Sequence, residues 1–306
     1  DIRAGKKRES ASARFGGKAA SLAELGAAGF PVPDCWVLDA QIFETAVDRR
    51  LPKGHDIASL IKLAGTREGT DRSARARDRI LADRLPDDLT AALGAAWATL
   101  EPSTPWGLSV RSSATCEDAR SSSLAGLATS ILGVRGHSEL CDAVRQVWAS
   151  LYLPRTLLYL HRWNIRSVAM PVLLMPMVVA KAAGVLFTAP PSGLEGERWR
   201  AGERLIHATL GLGAPIVDGA STIDTYRMSA DGAVIDRVIA EKTSELVVSA
   251  GGLVAQPVEP GRRTRAALSN AALSELSALA KRLTEKDGTA LDVEFAITDE
   301  GGAERV

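Results

Sequence analysis

Residues Leu108–Gly126 read LSVRSSATCEDARSSSLAG. A short apolar strand, Leu108-Ser109-Val110, carries Arg111 at its end, and Ser112, Ser113, Thr115 and Ser121-Ser122-Ser123 follow. A fixed cation at a strand end, with a donor-rich loop behind it, suits an anion with many oxygens, such as a nucleotide polyphosphate. An arginine paired with an acid ahead of a solvated serine loop would look the same in isolation. The order of the surrounding segments separates the two readings.

The bulk numbers narrow the field first. The chain has 306 residues, 46% hydrophobic and 24% charged, enough for one large or two ordinary domains with a proper core. Basic and acidic residues balance at 37 each, so a general electrostatic grip on nucleic acid or an anionic membrane is not expected. Any anion site must be a local cluster. The longest apolar run, Val168–Val179, contains Pro171 and Pro176 and falls short of the ~20 residues that span a bilayer. Three dispersed cysteines (Cys35, Cys116, Cys141) exclude a disulfide framework and fit a cytoplasmic location. The four histidines, His55, His137, His161 and His207, have no metal-ligand spacing.

Outward from Arg111, the periodicities alternate between helix and strand, which predicts an α+β class. Helices are expected over residues 18–28, 41–49, 86–100, 140–151, 154–163 and 269–286, and strands over 36–38, 108–110, 124–134, 168–179, 183–187, 205–208, 225–228, 233–240 and 290–297. The charged, Ala- and Gly-containing stretch 64–84 reads as a mobile connector or an exposed helix. The Pro-rich junction near 188–192 divides the chain into an N-terminal part, 1–188, and a C-terminal part, 189–306.

Two further patterns carry chemistry. Gly16-Gly17-Lys18 opens a helix: glycines allow close backbone approach, a helix start offers N–H groups, and Lys18 adds a point charge. An ordinary helix entry has the same look, and the spacing is not that of a Walker A loop. In Leu291-Asp292-Val293-Glu294-Phe295, alternation puts Leu291, Val293 and Phe295 on the core face and both carboxylates on the other, about 7 Å apart. Such a pair suits Mg²⁺ shared with phosphate oxygens, though a solvated strand face can also carry two acids. The turn Gly211-Leu212-Gly213 and the strand 183–188 read as a tight turn and as core.

Taken in order, these segments resemble the nucleotide-binding domain of the phosphoenolpyruvate synthase and pyruvate phosphate dikinase family, with rifampicin phosphotransferase and glucan, water dikinase among its relatives. The resemblance rests on Gly16-Gly17-Lys18-Ala19-Ala20-Ser21-Leu22, Val32-Pro33, Val110-Arg111-Ser112-Ser113-Ala114-Thr115-Cys116-Glu117-Asp118, Ala125-Gly126, Trp148-Ala149-Ser150-Leu151 with Arg155 and Tyr159, Ala183–Thr188, Gly211-Leu212-Gly213 and Asp292-Val293-Glu294. It implies an ATP-grasp fold, two lobes with ATP and Mg²⁺ between them. On this resemblance Lys18 and Arg111 serve as the catalytic, polyphosphate-holding cations. Gly17, Gly126 and Ser130 contact nucleotide, and Met175, Met177 and Val178 lie against adenine through the backbone. Asp292 and Glu294 hold the metal.

The chain departs from the family pattern at several points. Leu127-Ala128 stand where two glutamines are usual, Met175-Pro176 near a usual glutamine, Ala214 in place of a glutamate, Ile223 in a usual Pro-Asp pair, and Ala189-Pro190-Pro191 where an acid or amide is expected. The family's closing Gln-x-Arg-Pro strand does not occur before Val306. The expectation is either a fragment cut just before that strand or an incomplete site.

The resemblance implies a phosphotransferase domain that passes phosphoryl from ATP to a histidine on a separate swivelling domain, in the same chain or another, and from there to a small-molecule acceptor. None of the four histidines sits in a carrier-type Gly-Gly-x-x-Ser-His segment. The departures leave open a degenerate grasp module that binds nucleotide or a partner without turnover. A freestanding ligase is the third alternative.

Overall fold

The computed structural model describes residues 8–116, 129–189, 199–217, 222–288, 290–301 and 303–306. The chain is mixed helix and sheet, as the periodicities predict, and forms two compact units, Asp1–Met177 and Val178–Val306.

The first unit runs α1 (Arg8–Phe15), α2 (Gly17–Ala27), β1 (Trp36–Leu38), α3 (Ala40–Ala46), a 3₁₀ turn (Asp48–Arg50), α4 (Ile57–Lys62), α5 (Arg67–Ala82), α6 (Asp87–Leu100), β2 (Leu108–Ser112), β3 (Ser130–Val134), α7 (His137–Ser150), α8 (Pro154–Arg162) and β4 (Val172–Pro176). Helix starts follow local chemistry: Asp39, Asp56 and Thr66 accept from the N–H three residues on, and Pro154 supplies a pre-set first turn. Of the two readings of 64–84, a mobile connector or an exposed helix, the helix holds: α5 has 16 residues, most of them exposed, and buries Gly69, Ser73, Ala76 and Ile80. Small residues on its inner face let it pack closely, and hydropathy alone undervalues them.

The four strands pair antiparallel in the order β1-β4-β2-β3. β4 is apolar throughout because both its faces are covered. Val172 and Leu174 enter the large core with Leu108, Val110 and Trp148, while Leu173 and Met175 pack beneath Ala19 of α2. Arg111 pairs with Leu173 and Ser130 across the sheet, so it lies on the face that α2 covers.

The second unit runs β5 (Ala182–Phe187), β6 (Arg204–Leu210), α9 (Ala214–Val217), β7 (Asp224–Met228), β8 (Val234–Val238), β9 (Ser244–Ser249), β10 (Gly252–Pro257), α10 (Pro260–Arg263), α11 (Asn270–Asp287), β11 (Asp292–Glu300) and β12 (Ala303–Arg305). Six strands form one antiparallel sheet, β12-β11-β5-β6-β7-β8, and β9 and β10 form a hairpin. Leu273, Leu276 and Ala280 of α11 cover one face, packing on Leu186, Ile206, Tyr226 and Phe295. Gly184 is required beneath Phe295: a Cβ there would stand 2.0 Å from the His207 carbonyl oxygen and 2.7 Å from the phenyl ring. Asp224 and Lys242, both fully buried, pair at 2.5 Å. The same carboxylate accepts the Ala240 and Ala267 N–H groups and the Tyr226 hydroxyl.

The boundary lies one strand upstream of the division at 188/189. β5 pairs with β6 and β11, whereas β4 pairs with β1 and β2. Both strands are apolar runs, and only pairing distinguishes their sheets. Of the strand expected over 124–134, residues 130–134 are β3, and residues 117–128, with Gly126, Leu127 and Ala128, lie outside the described residues. No described helix is long and apolar enough to cross a membrane.

Candidate functional site

In the first unit the structure fastens the two basic motifs together. The α2 N–H of Gly17 donates to the Ala114 carbonyl at 3.2 Å, and that of Ala19 donates to Ser113 Oγ at 3.1 Å. Ser113 Oγ in turn donates to the Phe15 carbonyl at 3.0 Å. Gly16, at φ 78° and ψ 165°, makes this approach feasible, since a Cβ there would fall 1.6 Å from the Ser113 carbonyl oxygen. That region of backbone space is essentially confined to glycine. The first turn of α2, with Lys18 half-buried on it, is thereby anchored two and three residues beyond Arg111. Arg111 Nε donates to Ser130 Oγ at 3.3 Å across the β2–β3 pair. Lys18, Arg111 and Ser130, distant in sequence, thus belong to one side of one sheet.

The structure redistributes the hydroxyl loop. Ser113 caps α2, and Thr115 Oγ1 accepts the Ala169 N–H at 3.0 Å. Ser112 points to the core side of β2, where its Oγ is buried without a partner among the described residues. These three hydroxyls are structural, and the Gly17 and Ala19 N–H groups at the helix start are used internally. A serine that braces a backbone and one that meets phosphate look identical in sequence.

The segment read against adenine is tightly held. Met175 is buried in its strand against Ala19, Met177 donates its N–H to the Gly107 carbonyl at 2.9 Å, and Val178 is exposed. The boundary of the two units falls between Met177 and Val178.

In the second unit Asp292 and Glu294 occupy the face of β11 opposite α11, while Phe295 and Ile297 enter the core, as alternation predicts. Their ladder partners on β5 are Phe187 and Val185, and beyond these on β6 stand Leu205 and His207. Thr188 pins the residue before Asp292: its N–H donates to the Leu291 carbonyl at 2.9 Å, and its Oγ1 accepts the Leu291 N–H at 2.8 Å. Sequence reasoning left Thr188 in the core. Its placement at the strand end, facing the loop into β11, was the available signal. Asp292 is exposed as a residue, and partial desolvation of its carboxyl raises its pKa. Burial lowers that of His207, whose ring meets Phe187 edge-to-face at 5.4 Å between centroids. Gly211 approaches backbone, not ligand: a Cβ there would stand 2.3 Å from the Leu246 carbonyl oxygen.

Among the described residues no group of three or more His, Cys, Asp or Glu side chains forms a metal cage. A pair of carboxylates still fits Mg²⁺, which takes one or two carboxylates and completes its shell with water and phosphate oxygens.

The family described as pyruvate phosphate dikinase, AMP/ATP-binding domain, matches residues 12–304, nearly the whole chain and every motif above. The chain belongs to this family. Among its relatives, a probable phosphoenolpyruvate synthase from Methanothermobacter thermautotrophicus is 31% identical over 93% of the chain and 42% of that protein. A rifampicin phosphotransferase from a Streptomyces species is 33% identical over 94% of the chain and 33% of that protein. A prodigiosin synthesizing transferase from Serratia marcescens is 33% identical over 94% and 30%. The chain therefore spans less than half the length of these curated relatives. The matched family is described as an AMP/ATP-binding domain, which makes an adenine nucleotide the ligand class the family points to.

Proposed function

We propose that this chain is the ATP-grasp catalytic domain of a dikinase-type phosphotransferase. In this reading its two units are the lobes that serve one ATP, and phosphoryl passes to a histidine on a separate domain and then to a small-molecule acceptor. The observation that carries the reading is the fastening of Gly16-Gly17-Lys18 onto Ser113-Ala114, which brings Lys18 to the side of the sheet that holds Arg111 and Ser130.

Phosphoryl transfer asks little covalent chemistry of the protein. It needs positioned positive charge around the transferring group and an in-line nucleophile. Lys18 contributes a compact charge and Arg111 a planar fork that can grip two phosphate oxygens. Ser130, bonded to Arg111 Nε at 3.3 Å, holds the guanidinium in register. Asp292 and Glu294 would hold Mg²⁺, which when bound neutralises phosphate charge. Thr188 fixes the strand entry that aims Asp292.

The histidines support a nucleophile from elsewhere. His137 Nε2 lies 2.9 Å from the Thr90 carbonyl, His161 Nδ1 lies 2.9 Å from the Ile61 carbonyl, and the His207 ring meets Phe187 edge-to-face.

Titration calorimetry with ATP and Mg²⁺ tests the site: Lys18→Ala and Arg111→Ala should each weaken binding by tenfold or more. Equal affinity in all three proteins would remove the site assignment. A second reading, nucleotide binding without turnover, draws support from Ala214 and from Met177 spending its N–H on Gly107. Label transfer from ATP to an added phosphohistidine domain separates the two; binding without transfer selects the second.

A further inference from the structure

The stretch 64–84, which the nucleotide reading leaves without a role, ends in a second concentration of positive charge. The C-terminal end of α5, the loop into α6, the 3₁₀ turn after α3 and one face of α7 enclose a pocket with about 350 Å³ of empty space, part of it open to solvent. Four arginines line it: Arg50, Arg79, Arg84 and Arg145. Asp83 is the one carboxylate among the lining residues. Its floor is apolar, with Val47, Ile80 and the fully buried Trp148.

The charges do not balance locally. Asp83 pairs with Arg79 at 3.0 Å, and Arg145 pairs with Asp142 on its own helix. Arg145 also donates to the Asp83 carbonyl at 3.0 Å, which leaves its Nε buried without a partner among the described residues. Arg50 and Arg84 have no carboxylate partner among the described residues. Gathering like charges around an apolar floor costs stability unless an anion offsets it. Guanidinium forks match the planar or tetrahedral oxygens of carboxylate and phosphate, and an apolar floor strengthens each such contact by excluding water. The space is small and partly open to solvent, which suits an oxyanion head rather than a nucleotide.

We propose that this arginine-rimmed pocket of the first unit is a binding site for a phosphate-type oxyanion, separate from the ATP site. Arg50 and Arg84 clamp the anion from the rim. Arg145 lines the same wall and adds its charge to the site.

Inorganic phosphate, titrated into the full chain at constant ionic strength with chloride as the balancing anion, tests this by thermal shift and by NMR. Two double variants locate the effect: Arg50→Ala/Arg84→Ala removes two exposed rim cations that hold no described partner, and Lys18→Ala/Arg111→Ala removes the ATP-site cations. The expected result is saturable stabilisation by phosphate in the wild type. It should survive in the Lys18/Arg111 variant and weaken at least tenfold in apparent affinity in the Arg50/Arg84 variant. Circular dichroism of each variant verifies folding, and Arg84→Lys, which keeps the charge, should recover most of the lost affinity. Phosphate binding that is non-saturable, lost with Lys18 and Arg111, or indifferent to Arg50 and Arg84 overturns the proposal. The ATP assay on the same variants reports the nucleotide site independently, so the two readings fail separately.

Discussion

Replacing Gly16 by alanine tests the joint on which the site in the first unit depends. The residue sits at φ 78°, ψ 165°, and for a residue with a side chain that conformation costs about 1–3 kcal/mol. The added Cβ would lie 1.6 Å from the Ser113 carbonyl oxygen, and real Cβ contacts stay beyond 3.0 Å, so α2 and the 113–114 segment must part by about 1.4 Å. Bonds of 3.2 and 3.1 Å, from Gly17 to Ala114 and from Ala19 to Ser113, do not survive that opening, and each contributes about 0.5–1.5 kcal/mol. The sum is about 2–6 kcal/mol, which in a unit of this size lowers Tm by roughly 10 °C. Calorimetric melting of the full chain reads the loss. Gly261→Ala is the control, because nothing lies within 4 Å of its added Cβ. At a temperature well below both transitions, ATP affinity should fall as well, since Lys18 moves with the helix start. A Gly16→Ala protein that melts within a degree of the wild type and binds ATP equally would refute the argument that these two motifs are locked together.

Three further outcomes follow from the second unit. Lys242→Met strands the Asp224 carboxylate in the core and should cost about 3–5 kcal/mol in urea unfolding; an unchanged midpoint would show that the pair contributes nothing. His207 has its folded-state pKa depressed by burial, so the unfolded chain takes up the proton first, and stability should fall as pH drops below about 6.5. His207→Gln should flatten the denaturation midpoint between pH 7.5 and 5.5, and an equal slope in both proteins would contradict this. Asp292 has its folded-state pKa raised, so its ionised form is disfavoured in the fold at neutral pH. Asp292→Asn should raise the denaturation midpoint at pH 7 while weakening Mg²⁺-dependent ATP binding; a protein both less stable and equally Mg²⁺-responsive would count against a metal role.

Much of the fold was legible because local rules and tertiary packing agree. Strand 36–38 and helix 87–100 fall where pattern and Pro86 place them, and α11 runs from its Ser269 cap to Gly288 in the left-handed region. The elements that escaped notice are short or lack apolar contrast. α4 has six residues, and the β9–β10 hairpin carries its apolar residues half-exposed. For α5 the sequence left a connector and an exposed helix open, because the side chains it buries are mostly small and hydropathy counts them lightly.

The order of motifs along the chain sufficed to name the family, because each segment's glycines, charges and alternation are properties of a few adjacent residues. Alternation alone also put Asp292 and Glu294 on one face, since a strand's side chains switch sides at every step. Which apolar run belongs to which sheet was decided only by tertiary pairing: β4 and β5 read alike until hydrogen bonds assign one to β1 and β2 and the other to β6 and β11. The same holds for Ser113, which looked like a phosphate donor and is a cap for α2. The partner of a hydroxyl lies across space, nearly a hundred positions away in the chain, and local composition carries no record of it.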